Sequence, residues 1–261
     1  MNKMYMYLPE SKTTIEVGSD IPLRLLKHRV PSLQTSTDEN DLTVSNRVIE
    51  ADFVFEGIDN TDYYLIQHEI YPLFIREKPY YIYFQRMPSI MYRVLCEPFK
   101  TDKFGVNGAG SFTLNFHVQG GYGRSRGTTL SPFTFDTELW QIGMGIPHED
   151  LKYSFKENIF RVYNAGHVMI DPDKKHDLII TLKCEGSPRI KNHTTGSLYQ
   201  FNKPMKYSDR LILKGIKTYL NNDLVSKYSN HKVIKLAVGW NDIEVSGCAN
   251  PETSFDFPFL Y

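Results

Sequence analysis

A surplus of charge is the first thing this sequence lacks: 30 Lys and Arg face 30 Asp and Glu, for a formal net charge of zero over 261 residues. Nucleic acids and anionic membranes are held by clustered Lys and Arg, so the balance argues against an electrostatic grip on either. Long apolar runs are missing too, since nothing approaches the roughly 18 apolar residues of a membrane-spanning helix. The opening stretch MNKMYMYLPESKTTIEV has no unbroken apolar core of the signal-peptide kind, so the chain is expected to be made soluble and to stay outside the usual secretory route. The sequon-like Asn192-His193-Thr194 then reads as a polar turn. Cysteine is scarce: Cys96, Cys184 and Cys248 are far apart, odd in number and fit no CxxC or Cys/His pattern. That predicts free, buried thiols, with neither a disulfide framework nor a zinc site.

Signatures of catalysis are also wanting. His68-Glu69 begins an HExxH zinc motif, but position 72 is Pro, so the second imidazole is missing and a solvated helix face is the better reading. Gly105, Gly108 and Gly110 resemble a phosphate loop, yet no Lys-Ser/Thr follows and a strand comes next, which predicts a hairpin turn. Ser125 sits in Gly-Arg-Ser-Arg-Gly without the strand-to-helix context that exposes a nucleophile. No metal site and no cofactor site is nominated, and the chain is expected not to be an enzyme.

What is abundant is aromatic: 17 Tyr, 16 Phe and 2 Trp make up 13% of the chain. Tyr and Phe favour strands. Strict alternation supports the same conclusion, most clearly where Phe112, Leu114, Phe116 and Val118 fall on one strand face, and again at Tyr92, Val94, Cys96, at Leu178, Ile180, Leu182, Cys184, and at Ile234, Leu236, Val238. Gly, Pro, Asn and Asp separate these segments at Tyr163–Gly166, Asp171–Asp173, His193–Gly196, Asn221–Asp223 and Val238–Asn241. Short strands at such spacing describe a sandwich or barrel. One segment departs: Asp59, Asn60 and Thr61 offer capping side chains, and Tyr64, Ile66, Ile70, Leu73 and Phe74 recur at helical spacing, which predicts a helix over about 62–75 closed by Pro72. The polar stretch 31–46 reads as a long exposed loop, and the Gly/Arg stretch 120–127 as a flexible loop leaving a first domain. The expected organisation is a first β domain with one prominent helix over 1–138, a linker over 139–154, and a second β domain over 155–261.

Two stretches together resemble the distal tail proteins, or Dit proteins, of long-tailed bacteriophages, best represented in phages of Gram-positive hosts. The first runs from Asp41-Leu42-Thr43-Val44 through Arg47-Val48-Ile49, Phe53-Val54-Phe55-Glu56-Gly57, the capped helix, Tyr80-Tyr81-Ile82, Arg86-Met87-Pro88 and Tyr92-Arg93-Val94 to Gly110–Phe116. In that order it is similar to the family's N-terminal domain, although Ser89 stands where glycine is common. The second runs from Phe160-Arg161-Val162-Tyr163-Asn164-Ala165-Gly166 through Ile190–Gly196 to Leu236–Ile243, and resembles the family's C-terminal galectin-like β-sandwich.

The resemblance implies a structural protein of the virion tail, made and assembled in the host bacterial cytoplasm. Its N-terminal domains would form a homohexameric ring that joins the tail tube protein to a tail tip, fibre or baseplate protein that carries host recognition, with the tape measure protein as a further partner. DNA would pass through the lumen ungripped, in keeping with zero net charge, and no membrane would be entered. Tyr63, Tyr64, Tyr80, Tyr81 and Tyr83 cluster around the helix and the next strand and are candidate ring-interface residues, with the loops 31–46 and 120–127 as candidate neighbour or lumen contacts. A carbohydrate-binding module that attaches the virion to cell-wall glycan is the alternative, and Trp240, Asn241 and Asp242 are its candidate contacts.

Overall fold

A computed structural model describes residues 3–32, 47–105, 108–134, 138–147 and 151–261. The protein is mainly β, a β domain with one helix followed by a β-sandwich, and it divides into two compact units, Met1–Arg124 and Ser125–Tyr261.

In the first unit the elements are β1 (Met4–Leu8), β2 (Thr13–Glu16), β3 (Leu23–Arg29), β4 (Val48–Glu56), α1 (Asn60–Phe74), β5 (Tyr80–Phe84), β6 (Met87–Cys96), β7 (Asp102–Phe104) and β8 (Ala109–Ser125). The strands run β2-β1-β5-β6-β8-β4-β3 across one sheet, with β7 also on β8. Period-two alternation decides what this sheet buries. Ile49, Ala51 and Phe53 of β4 stand opposite Phe116, Leu114 and Phe112 of β8, so the apolar half of both strands shares one face, and all six are essentially buried. Helix α1 lies over that face, with the Phe74 ring 5.7 Å from Phe53 and 6.3 Å from both Phe112 and Phe116. Each such fully buried side chain contributes about 1.5–3 kcal/mol.

The helix starts at Asn60 because Asp59 caps it: its carboxylate accepts the Asp62 N–H at 2.9 Å, and Asp62 in turn accepts the Ile58 N–H at 2.9 Å. It ends at Phe74, two residues past Pro72, which removes a donor from the last turn. The inward face is Tyr63, Ile66, Ile70 and Phe74. Tyr64, expected on that face, is 63% exposed.

The Gly/Arg stretch is strand rather than loop. β8 continues through Gly120–Ser125, and two consecutive left-handed residues, Gly120 (φ 78°) and Gly121 (φ 74°), shift the alternation so that Gly121, Gly123 and Ser125 carry on the buried row after Val118. Gly123 is small for packing reasons: a Cβ there would sit 2.9 Å from both Ile90 Cγ2 and Tyr92 Cε1.

The second unit contains β9 (Ser154–Phe155), β10 (Ile159–Asn164), β11 (Ile179–Asn192), β12 (Leu198–Gln200), β13 (Leu211–Lys214), β14 (Lys217–Leu220), β15 (Asp223–Leu224) and β16 (Gly239–Asp256), with one-turn helices at Pro172–Lys174 and Ser226–Tyr228. The order is β10-β16-β11-β13-β14-β15, with β12 on β11 and β9 on β16. Its spine is the long antiparallel pair β11 and β16, irregular between Lys183 and Glu185 and between Gly186 and Arg189. On one side of these bulges β11 pairs with β13 and β16 with β9; on the other β11 pairs with β12 and β16 with β10. Bulges bend strands, so the two halves of this pair run in different directions. The expected face Leu178, Ile180, Leu182, Cys184 is buried as read. The segment 234–238 differs: Ile234 and Leu236 are buried, but Val238 is 53% exposed and the segment makes a single bridge, Ile170 to Leu236, in place of a ladder.

The division falls at Arg124/Ser125, earlier than the expected 138, because 125–129 runs beside the chain's last residues. Ser125 N–H donates to Phe259 O at 2.9 Å, and Thr129 N–H donates to Phe257 O at 3.0 Å. The segment expected as a linker, 139–154, is part of this packing in its described residues. Trp140, Met144 and Tyr153 are buried, and Trp140 stacks on Phe133 at 4.6 Å while donating its indole N–H to Pro132 O at 2.8 Å. Cys184 is buried and Cys96 and Cys248 are half-buried, all three as free thiols.

Candidate functional site

The five tyrosines of the expected interface do not form one patch. β5 places Tyr80 and Tyr81 on opposite faces, and α1 turns Tyr63 inward and Tyr64 outward. Tyr80 is 1% exposed, donates to Phe74 O at 2.9 Å, and its phenol is pushed far above the ordinary tyrosine range by burial. Tyr63 is buried against Phe55 at 5.3 Å, with its hydroxyl 2.7 Å from Thr101 Oγ1. Tyr83 is buried and stacked on Tyr5 at 5.0 Å. Tyr81 lies beside Tyr7 at 6.2 Å and under the Arg124 guanidinium, which donates to its hydroxyl at 3.2 Å. These side chains are engaged in their own unit, and Tyr64 alone of the five is exposed.

Among the large apolar side chains that are exposed, three lie around the start of the helix: Ile58 is 89% exposed, Tyr64 63% and Leu65 59%. Lys103 of β7 hydrogen-bonds Asn60 and lies over the Tyr63 ring at 5.5 Å, so the next residue, Phe104, 49% exposed, is on the other face of β7. An exposed apolar cluster is the informative departure from ordinary surface chemistry. Of the expected face Ile66, Ile70 and Phe74 are buried, while Tyr63 takes the inward place read for Tyr64.

The outer face of β3, β4 and β8 is polar and self-neutralising. Lys27 pairs with Asp52 at 3.2 Å, Arg29 with Glu50 at 3.7 Å, and His117 with Glu97. A hydrogen bond from Thr113, helped by Lys27, holds the Asp52 carboxyl below the ordinary range, while hydrogen bonds from His117 and Asn115 do the same for Glu97. Opposite charges are thus interspersed on this face. The loop 31–46 lies, over 33–46, outside the described residues; at its base the Arg47 side chain donates to Pro31 O at 2.8 Å.

In the second unit the three turn motifs each bury their asparagine completely. Asn164 accepts the Gly166 N–H at 3.0 Å and donates to Val168 O at 2.9 Å. Asn192 accepts the Thr194 N–H and donates to Lys235 O at 2.7 Å and to Asn241 Oδ1 at 2.9 Å. Asn241 accepts the Ala237 N–H at 2.8 Å and donates to Ala237 O at 2.9 Å and Gly239 O at 3.1 Å. These amides hold turns whose backbone groups would otherwise be buried and unpaired. Of the candidate glycan contacts, Asn241 is therefore committed to the interior. Trp240 is covered by the Arg161 guanidinium at 4.5 Å and by Tyr163 at 4.9 Å, and Asp242 faces solvent beside Arg161 at 3.5 Å. The three do not converge on one ligand position. Among the described residues no helix is long and apolar enough to cross a membrane, and no group of three or more His, Cys, Asp or Glu is placed to hold a metal.

Residues 41–118 match the family model of the phage tail protein RIFT-related domain. The first stretch of resemblance, Asp41 to Phe116, lies inside it. The chain has a Dit-like fold, and its residues 41–118 are similar to the phage tail RIFT-related domain. Its likeness to the crystal structure of the Dit protein of SPP1 covers 99% of both chains with a TM-score of 0.66 at 13% identity. Two structures of the phage p2 baseplate in its activated conformation contain similar chains: one with strontium (TM-score 0.51, 12% identity) and one with calcium (0.52, 11% identity), each covering 99% of this chain and 98% of the other. No curated protein sequence matches the chain.

Proposed function

We propose that this chain is a structural, non-enzymatic hub of a phage tail, a ring of copies that joins the tail tube to the tip or baseplate through which the virion meets its host. The observation that carries the reading is the full-length Dit-like fold, together with a phage tail domain over 41–118. The SPP1 protein is described as a paradigm of the hub adsorption apparatus in phages infecting Gram-positive hosts, and the p2 chains belong to baseplates.

Surface chemistry agrees. A closed ring needs a heterologous interface in which one patch meets a different patch on the neighbour. The first unit offers exposed Ile58, Tyr64 and Leu65 around the start of its helix, and ends its sheet on two edge strands, β2 and β3. The hexameric state, the tube, tip, fibre, baseplate and tape measure partners, passage of DNA through the lumen and assembly in the host cytoplasm belong to this proposal. Gold-labelled antibody against the chain, applied to virions, tests it. Label at the distal end of the tail is expected; label confined to the head, or none on intact virions, would overturn the reading.

A further inference from the structure

Several lysines of this protein are paired with carboxylates. Lys3, Lys27, Lys78, Lys156 and Lys235 each lie within 3.3 Å of a carboxylate oxygen. In the second unit, where β12 meets the one-turn helix Ser226–Tyr228, two lysines converge on a single phenol instead. Lys203 Nζ lies 3.6 Å from the centroid of the Tyr228 ring and Lys227 Nζ lies 5.0 Å from it. Among the described residues neither lysine has a carboxylate within ion-pair distance, nor do the nearby Arg189 and Lys232. Arg189 donates to a neutral acceptor, Gln200 Oε1, at 3.2 Å.

The frame under this cluster is fixed. Phe201 and Ser229 form a bridge, Asn202 N–H donates to Tyr228 O at 2.8 Å, and Asn230 N–H donates to Gln200 O at 3.0 Å. Beneath it Tyr199 is buried, with its hydroxyl 3.1 Å from Thr218 Oγ1. Tyr228 is half-buried on that frame, so the point on which the two lysines converge is held by backbone hydrogen bonds. The ammonium groups, Lys203 first, hold the phenol below the ordinary tyrosine range, which marks a locally positive potential at its oxygen. Two like charges on one ring repel each other, and long side chains at a surface are free to splay into water. An anion seated between them turns the repulsion into two charge-assisted hydrogen bonds, and the Tyr228 hydroxyl supplies a third donor.

We propose that Lys203, Lys227 and Tyr228 form a binding site for an oxyanion group, a phosphate or carboxylate carried by a ligand or partner. It lies on the second unit and does not depend on the hub reading. The affinity expected of a single oxyanion on three exposed donors is millimolar.

Amide NMR of the full chain, titrated at constant ionic strength with inorganic phosphate and separately with succinate, tests it. Saturable shifts confined to residues around 200–203 and 226–230 are expected from at least one anion, weakened at least about tenfold in Lys203→Gln/Lys227→Gln. Lys214→Gln, on β13, is the control that should bind normally. Saturation by phosphate alone assigns the site to a phosphorylated ligand, whereas saturation by both extends it to carboxylates. Absence of saturable shifts with either anion, or equal shifts in a double variant whose remaining spectrum is unchanged, would overturn the proposal.

Discussion

The two units are held together by different chemistry. Beneath its helix the first unit is ring on ring: Phe53, Phe74, Phe99 and Phe112 lie within 6.3 Å of one another in successive pairs, and helix and sheet meet mainly through rings, with one buried hydrogen bond from Tyr80 to Phe74 O. The second adds to its apolar core three fully buried asparagines that hold its turns from inside. Burial of rings is non-directional and tolerates small shifts, whereas an amide that satisfies two to four backbone groups fixes one turn geometry. The consequence for function is that the motifs most visible in the second unit are structural. The surface of the first unit that is open to a partner carries no motif.

That contrast is breakable. The largest effect is expected from Phe74→Ala, which empties the contact between helix and sheet and should cost about 3–5 kcal/mol, with faster hydrogen exchange across the first unit and little change in the second. Asn241→Ala should do the reverse: it leaves the Ala237 N–H without its acceptor and costs about 2–3 kcal/mol, with exchange rising in the turns 192–197 and 235–241. Tyr80→Phe removes one buried hydrogen bond, to Phe74 O, and should lower stability by about 1 kcal/mol in chemical denaturation. Tyr64→Ser, on the open surface, should stay within about 0.5 kcal/mol of the parent and yet weaken self-association in sedimentation.

The smallest effect is electrostatic. Asp52 has a folded pKa below its unfolded value, chiefly through Thr113, so its contribution to stability is present above the ordinary carboxylate range and is lost as pH falls through the folded value. Thr113→Val should raise the Asp52 pKa toward ordinary and soften that acid-side loss; an NMR titration of the carboxyl that shows no upward shift would contradict the assignment.

Much of the scaffold was readable because period-two alternation reports burial directly, as at Phe112–Val118 and Leu178–Cys184. Where reading failed, the missing information lay across space. Tyr63 and Tyr64 are adjacent and identical, and only the spacing to the buried Ile66, Ile70 and Phe74, three, seven and eleven residues on, selects Tyr63 as the inward one. Gly120–Ser125 reads as a loop until Tyr92 and Ile90 are seen packing on Gly123. Trp140 reads as linker until Phe133 and Phe259 are found beside it. The asparagines were legible as turn formers, but not as buried ones, because their partners lie up to 79 residues away.

Self-assembly through the open helix surface is the central claim. Native mass spectrometry across a concentration range, on the parent chain and on Ile58→Ser/Leu65→Ser, measures it most directly. A parent species at six times the 30.3 kDa chain mass, imaged as rings and reduced to monomer by the double variant, is the predicted result. A parent chain that stays monomeric at every concentration and in the presence of tail tubes would contradict it.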